Sequence, residues 1–262
     1  MAIAVTGTPV SAGTSSGNPR TLSVTVPAGT TLLLVGVHRG FTGDTGASTA
    51  TFNGDSMTQL AHVINSVATR SVLEVFGLVN PDITTADVSV TLIIEDGTRC
   101  VLTAVCFSGT DTTNPYGTII ENEGDNSPST TGTITSSTEG LCVDFFVVRD
   151  EAITNTAVDA GQTEVLDVAF GASHLGLWAG VSTEPGDTSV SMGWSWTAAG
   201  EGFEEWCEVG IPLIAGSTGT NMKLQIGDSW KSVEGAKINI GDSWKTIDGA
   251  KINIGDSWKT IF

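Results

Sequence analysis

The stretch TLSVTVPAGTTLLLVGVH, residues 21–38, sets the fold. Its first six residues alternate between apolar and polar side chains, which is typical of a strand with one buried face. The Pro-Ala-Gly sequence that follows is typical of a turn. Residues 31–38 then form an apolar run, which predicts a second strand. The stretch therefore predicts strand, turn and strand.

The same pattern recurs along the first 215 residues. Further strands are predicted at 50–53, 57–60, 72–79, 88–94, 101–107, 141–148, 163–169, 174–181, 189–196 and 207–213. Asn53-Gly54 between the first two of these is a strong hairpin signal. No segment has a convincing helical period, and the polar, Ser/Thr-rich residues 116–138 predict a long loop. We therefore expect an all-β body, residues 1–215, folded as a jelly-roll-like antiparallel β-sandwich.

Residues 223–262 are one 14-residue unit written three times. The copies are KLQIGDSWKSVEGA, KINIGDSWKTIDGA and the shortened KINIGDSWKTIF. Each copy reads as a minimal β-hairpin with Gly-Asp at its turn. Because a single short hairpin is marginal in water, we expect the copies to share a small core or an assembly surface. The residues predicted to form it are Trp230, Trp244, Trp258, Ile226, Ile240 and Ile254.

Charge divides the chain at the same place. Residues 1–222 contain no lysine and have 5 arginines against 24 acidic residues, a net charge of −19. All 6 lysines lie in the repeats, which have a net charge of +1. This break predicts a linker at residues 216–222 between the two modules. The acidic body argues against nucleic-acid binding, because phosphate contacts need clustered lysine and arginine.

The chain start has no basic segment followed by an apolar core, so no signal peptide is predicted. The longest apolar run, residues 32–37, is too short to cross a bilayer, and no membrane contact is expected. Four widely spaced cysteines, Cys100, Cys106, Cys142 and Cys207, are expected to be buried free thiols, although spacing alone leaves a disulfide open. We expect assembly in a reducing cytoplasm.

Gly-Asp-Ser occurs four times, once at residues 54–56 and once in each repeat. This tripeptide is similar to the nucleophile block of GDSL-type esterases, which also need a histidine base oriented by an aspartate. Neither His38, His62 nor His174 is preceded by aspartate at the required spacing. We therefore expect a protein that is not an enzyme, with no cofactor.

Three sets of residues are candidates for binding. Glu121, Glu123 and Asp125 form an acidic segment that could be a contact surface or bind calcium, although a solvated loop is the expected structure. Tryptophans near the end of the body could stack on sugars, but sandwich core with a partly buried rim is the expectation. They are Trp178, Trp194, Trp196 and Trp206. Four neighbouring glutamates could anchor a basic partner, but a solvated strand edge is favoured. They are Glu201, Glu204, Glu205 and Glu208.

Several motifs together resemble structural proteins of tailed bacteriophages. They are TLSVTVPAGTTLLLVGVH, ATFNGDSMTQL, VFGLVNPDITTADVSVTL, AVCFSGTDTTNP, GWSW and EVGIPLIA, across roughly residues 18–215. They are similar to a β-sandwich domain of such virion proteins and of some bacterial proteins. The tail resembles the short IGDSWK-type repeats at the ends of phage virion proteins.

The resemblance implies a place in a virion and no particular chemistry. The expected function is capsid decoration, or cementing, on the outer head, since the sequence has no coiled coil or fibrous shaft. The expected partners are the major capsid protein or tail proteins and further copies of the chain; a trimer would suit a threefold head site. A tail-tip or fibre component that binds host-surface glycans is an alternative, and a bacterial carbohydrate-binding module is another.

Overall fold

The computed structural model describes most of the body and the strands of the tail. In the body it describes residues 2–40, 47–65, 71–93, 99–125, 127, 129–150, 153–171, 176–198 and 205–216. In the tail it describes the backbone of residues 222–226, 229–233, 237–240, 243–246, 251–254 and 257–260. The chain divides into two compact units, Met1–Gly216 and Ser217–Phe262.

The first half of the body, up to residue 108, has nine strands among its described residues. They are β1 (Ala4–Thr14), β2 (Arg20–Thr25), β3 (Thr30–Gly40), β4 (Thr49–Phe52), β5 (Asp55–Ser56), β6 (Thr58–Ile64), β7 (Ser71–Val79), β8 (Thr85–Thr91) and β9 (Arg99–Ser108). A five-stranded antiparallel sheet has the order β1-β9-β3-β7-β6. A second antiparallel sheet has the order β2-β8-β4-β5.

The second half repeats this arrangement. Its strands are β10 (Ile120–Gly124), β11 (Gly132–Ile134), β12 (Leu141–Asp150), β13 (Ile153–Val158), β14 (Thr163–Phe170), β15 (Gly176–Pro185), β16 (Val190–Met192), β17 (Trp194–Ala198) and β18 (Glu205–Leu213). The five-stranded sheet has the order β10-β18-β12-β15-β14. Two strand pairs, β11-β16 and β13-β17, take the place of the second sheet.

The sheets are stacked in four layers, as the buried clusters show. The central core lies between the two five-stranded sheets and includes Leu34 from β3 and Phe145 from β12. A second core packs the other face of the first five-stranded sheet against β2, β4 and β8, with Phe52 and Phe76 in it. Two smaller clusters pack the other face of the second sheet against its strand pairs. The five-stranded sheets are therefore the inner layers of the body.

The two halves meet through equivalent surfaces. Edge strand β1 packs against β14, and edge strand β6 packs against β10. In the shared strand order, β14 corresponds to β6 and β10 corresponds to β1. The interface is thus built like the self-complementary interface of a twofold dimer, inside one chain. Hydrogen bonds also cross it, for example from Ser71 Oγ to the Glu205 carbonyl at 2.7 Å.

The prediction of an all-β, antiparallel body is confirmed, whereas the number of layers is larger than one sandwich provides. A repeated strand order was missed because the halves share topology more than they share residues. The loop predicted at 116–138 is wrong in part, because it contains β10 and β11. Polar residues are compatible with β10, which is an edge strand and pairs only with β18.

The hairpin predicted at Asn53-Gly54 is confirmed. Phe52 pairs with Asp55 across this two-residue turn. Asn53 has φ 51° and Gly54 has φ 90°. Asparagine and glycine tolerate these positive values, which a two-residue hairpin turn of this kind requires at both central positions.

Each repeat of the tail contains a separate two-stranded antiparallel sheet. The six strands are β19 (Met222–Ile226), β20 (Ser229–Val233), β21 (Lys237–Ile240), β22 (Ser243–Thr246), β23 (Lys251–Ile254) and β24 (Ser257–Thr260). They pair as β19-β20, β21-β22 and β23-β24.

Candidate functional site

The six repeat residues fall on strands, and the register separates the tryptophans from the isoleucines. Trp244 is opposite Asn239, and Ile240 is opposite Ser243. Directly opposed residues share a face of an antiparallel pair, and neighbours along a strand alternate faces. Trp244 and Ile240 therefore lie on opposite faces of their hairpin. Trp230, Ile226, Trp258 and Ile254 follow the same register. A core containing both residue types thus requires contact between different hairpins, and it stays a prediction.

The acidic segment lies on the edge of an inner sheet. Glu121 and Glu123 belong to β10, and Asp125 follows that strand. Glu121 Oε1 accepts a hydrogen bond from the backbone N–H of His62 at 3.2 Å, which ties β10 to β6 of the other half. No group of three or more His, Cys, Asp or Glu among the described residues is arranged to hold a metal ion. Glu121 thus takes part in the contact between the halves.

The Gly-Asp-Ser sequence of the body lies on a hairpin, with Asp55 and Ser56 exposed on β5. His38 is fully buried between the two halves, and both of its ring nitrogens are engaged. Nδ1 lies 2.9 Å from the Phe146 carbonyl oxygen and Nε2 lies 2.9 Å from Thr103 Oγ1. Because a carbonyl only accepts, Nδ1 donates and Nε2 accepts from the threonine hydroxyl. His38 is therefore a structural link between the halves. The repeat turns and His174 lie outside the described residues.

The buried His38 makes the free energy of unfolding depend on pH. Burial lowers the pKa of His38 from 6.5 to about 3, so its stabilising effect is complete above pH 6.5 and is lost as the pH falls toward 3. We expect the free energy of unfolding of His38→Gln to fall less steeply between pH 6.5 and 4.5 than that of the wild type, by about 1.4 kcal/mol per pH unit. Urea unfolding at four pH values would measure both slopes. Parallel curves would show that His38 does not contribute to the acid response.

A buried ion pair links strands of the first half. Arg39 Nη2 lies 2.9 Å from Glu74 Oε2, and both side chains are 0% exposed. Glu74 also accepts hydrogen bonds from Ser48 and Gln59: the Ser48 backbone N–H and hydroxyl each at 2.6 Å, and Gln59 Nε2 at 2.9 Å. Burial lowers the pKa of Arg39, and the charge of Glu74 opposes that change. The pair joins β3, β7, β6 and the segment before β4, which is a structural arrangement.

The tryptophans predicted to be core are core. Trp194 is 0% exposed and stacks on Phe146 with ring centroids 5.1 Å apart, and Trp196 stacks on the same ring at 5.4 Å. Trp206 is buried in the same cluster, and half-buried Trp178 packs against it. Trp178 Nε1 donates to Asp167 Oδ1. These four side chains therefore hold the outer strand pairs on the second inner sheet and offer no broad exposed stacking surface.

The expectation of a solvated glutamate edge is wrong for the two glutamates that the structure describes. Glu205 and Glu208 are 3% and 1% exposed. They lie on β18, which has β10 on one side and β12 on the other, so it is not an edge strand. Glu201 and Glu204 lie outside the described residues.

Glu208 belongs to a buried polar group between the second inner sheet and its outer strand pairs. Its carboxylate accepts hydrogen bonds from Thr130 Oγ1 at 2.9 Å and Asn122 Nδ2 at 3.1 Å. Thr130 Oγ1 in turn accepts from the Trp194 backbone N–H at 2.9 Å. Asp144 lies in the same group and is 0% exposed. Burial raises the pKa of Glu208 to about 7 and that of Asp144 well above its ordinary value.

Sequence reasoning found neither the Arg39–Glu74 pair nor Asp144 with Glu208. A signal did exist, because each of these residues interrupts an apolar strand: VGVHRG, SVLEVFGL, CVDFF and WCEVGI. A charge inside a strand that is otherwise apolar predicts a buried, compensated group. As expected, all four cysteines are buried and free.

Comparison with known proteins adds no relative. No family model matches the chain, and neither a curated protein nor a solved structure matches it significantly. In the part of the chain that the structure describes, no helix is long and apolar enough to span a membrane.

Proposed function

We propose that this chain is a structural protein of a tailed-phage virion, a decoration or cement protein on the outer head. The observation that carries the proposal is the duplicated body, in which two β-sandwiches join through equivalent sheets. The buried polar residues of this body are used to hold layers together, as His38 and Arg39 illustrate. A stack of four layers suits a mechanical role, so the proposal includes no enzymatic activity and no cofactor.

The strand order supports a jelly-roll assignment for each half. With the β4–β5 hairpin counted as one strand, and β16 with β17 as one, each half has eight strands. The inner sheet then contains strands 1-8-3-6 and the outer layer strands 2-7-4, with strand 5 placed beside strand 6. Jelly rolls pair their strands in this way and are common in viral capsid proteins and lectins. The fold of each half is therefore consistent with a virion protein.

The tail supports attachment or assembly as its role. Its three separate hairpins repeat one pattern, and they contain every lysine of the chain beside a body of charge −19. Repeats of this kind are stabilised by contact with neighbours, so we expect homo-oligomers or contacts with other virion proteins. A trimer would suit a threefold head site, and assembly would take place in the host cytoplasm.

Immunogold labelling of virions with an antibody against residues 1–216 tests the proposal. Gold on the outer head supports decoration. Gold on the tail would move the protein to the adsorption apparatus, and particles without gold would overturn a virion role. A competing excess of the purified full chain should abolish the labelling, which controls for nonspecific antibody binding.

Glycan binding at the tail tip is a second candidate, favoured by the hairpin register. Trp244 shares its face with Lys237, Asn239 and Thr246, and the first and third hairpins repeat this set with close equivalents. A tryptophan position on the same face as amide- and hydroxyl-bearing residue types suits sugar recognition, because aromatic rings stack on sugars and amides hydrogen-bond to them. Retention of the full chain on immobilised host-surface polysaccharide, lost in a variant lacking residues 217–262, would favour this candidate.

A further inference from the structure

Asp144 and Glu208 are diagonal neighbours on one face of the second inner sheet. The register sets Glu208 opposite Phe146 and Asp144 opposite Gly210, so the two acids are two residues apart on adjacent strands β12 and β18. That face is covered by the outer strand pairs, with Trp194 and Thr130 above it. Both acids are at most 1% exposed. Two carboxyl groups are therefore enclosed side by side in a core.

The hydrogen bonding of the two acids differs. Glu208 accepts one bond from Thr130 and one from Asn122. No hydrogen bond of normal geometry reaches either oxygen of Asp144, and the nearby Trp194 indole is an uncharged donor that offsets only part of the cost of burying a carboxylate there. If Asp144 is protonated, its hydroxyl can donate to Glu208, and the weak hydrogen bonding costs less. The arrangement therefore suits a protonated Asp144 and an accepting Glu208.

The surrounding charges make two carboxylates still less favourable. Asp159, in the turn between β13 and β14, is a third acidic group that acts on both residues. The neighbours from β10, β17 and the segment before β11 are Asn122, Trp194 and Thr130, which are uncharged. The charges that the described residues place around the pair are therefore negative, and a proton is the ligand that lowers the repulsion.

We propose that Asp144 and Glu208 form a proton-binding site that locks the outer strand pairs of the second half onto its inner sheet. Both acids are protonated at acid pH, and Asp144 keeps its proton to the higher pH and donates a hydrogen bond to the Glu208 carboxylate once Glu208 has ionised. Glu208 is tied through Thr130 to the Trp194 backbone, so the site reaches β17 directly. As the pH rises Glu208 loses its proton first; when Asp144 also ionises, two adjacent charges remain under Trp194, and the outer layer loosens.

The direction of the pH effect follows from linkage. Because the folded state keeps its protons to a higher pH than the unfolded chain, stability is complete at acid pH and falls as the pH rises. For Glu208 alone, the fall takes place between its ordinary 4.5 and about 7. Raising the pH from 5.5 to 8.5 should then increase the unfolding constant about 30-fold from this residue. Asp144 adds to the effect in the same direction.

Urea unfolding of the full chain at pH 5.5 and 8.5 tests this. Glu208→Gln keeps the side-chain size. The ratio of the unfolding constants at pH 8.5 and 5.5 should be about 30-fold smaller in this variant than in the wild type. Asp87→Asn is the matched control, since Asp87 is exposed on β8 and its loss should leave the ratio between the two pH values unchanged within twofold. A wild-type ratio that Glu208→Gln does not reduce would overturn the proposal.

Two measurements on the wild type do not depend on the folding of any variant. Carbon NMR of carboxyl-labelled aspartate across a pH titration should show one aspartate that keeps its proton to a clearly higher pH than the others; a common titration of all aspartates would overturn the proposal. Amide exchange, corrected for the intrinsic rate, should show protection of β16 and β17 falling between pH 5.5 and 8.5. The outer sheet of the first half, β2-β8-β4, is the internal reference and should keep its protection. Equal changes in both outer layers would contradict a local lock.

Discussion

Glu74→Gln should destabilise the body by about 3–5 kcal/mol, because it removes the negative charge of the buried ion pair with Arg39. Both side chains are 0% exposed and 2.9 Å apart, so water cannot replace the lost charge in the folded state. Glutamine keeps the size of the side chain and can still accept a bond from Ser48, so the change tests the charge more than the packing. The free energy of unfolding from urea titration at pH 7 is the measurement.

The double variant Arg39→Met with Glu74→Gln supplies the control. It removes the buried cation as well, so it should be clearly more stable than Glu74→Gln alone, since replacing a whole buried ion pair costs much less than breaking it. If Glu74→Gln cost less than 1 kcal/mol, or if the double variant were less stable than the single one, the charge of Glu74 would not be what stabilises Arg39 in the folded body.

Phe145→Ala should cost a similar amount, about 3–5 kcal/mol, for a different reason. Phe145 is 0% exposed in the core between the two inner sheets, and its ring lies 6.3 Å from that of His38. Gly36 faces it closely: a Cβ on Gly36 would lie 2.8 Å from the Phe145 ring. Truncation therefore opens a cavity at the centre of the interface between the halves. Calorimetry of the full chain should show one body transition at a lower temperature.

Ile83→Ala is the matched control, because Ile83 is 64% exposed and its truncation should change stability by less than about 0.5 kcal/mol. A body transition that splits in two in Phe145→Ala would show that the halves fold independently. A loss below 1 kcal/mol would show that the central core does not couple them.

Strand positions were predictable where burial imposes a pattern. The apolar runs that became β3, β7, β9, β12 and β18 lie in inner sheets buried on both faces, and their hydrophobic residues are enough to identify them. β1 and β10 were missed because edge strands can carry polar residues and irregularities, such as the register shift between Thr6 and Val10 in β1. The single strand predicted at 189–196 is divided into β16 and β17 at Gly193, whose backbone bonds to Gln162 and Asp159.

Partners across long sequence separations were not predictable, and the buried polar groups depend on them. Arg39 and Glu74 are 35 positions apart, and Asp144 and Glu208 are 64 apart. The strand order of the sheet brings each pair together. One sequence shows which residues are charged, but it does not show which strands are neighbours. In the tail, the faces of Trp244 and Ile240 could be assigned only from the strand register.

The duplication gives the body freedom that a dimer of identical chains lacks. In such a dimer every substitution appears twice, so a residue suited to one subunit must also be tolerated in the other. Here the first half has the Arg39–Glu74 pair under its outer sheet, while the second has Asp144, Glu208 and three stacked aromatic rings. The outer layers differ too, since the first half has a four-stranded sheet there and the second has two strand pairs. A partner that recognises one of them finds one copy per chain, which sets a stoichiometry of one to one where a symmetric dimer would offer two equal sites.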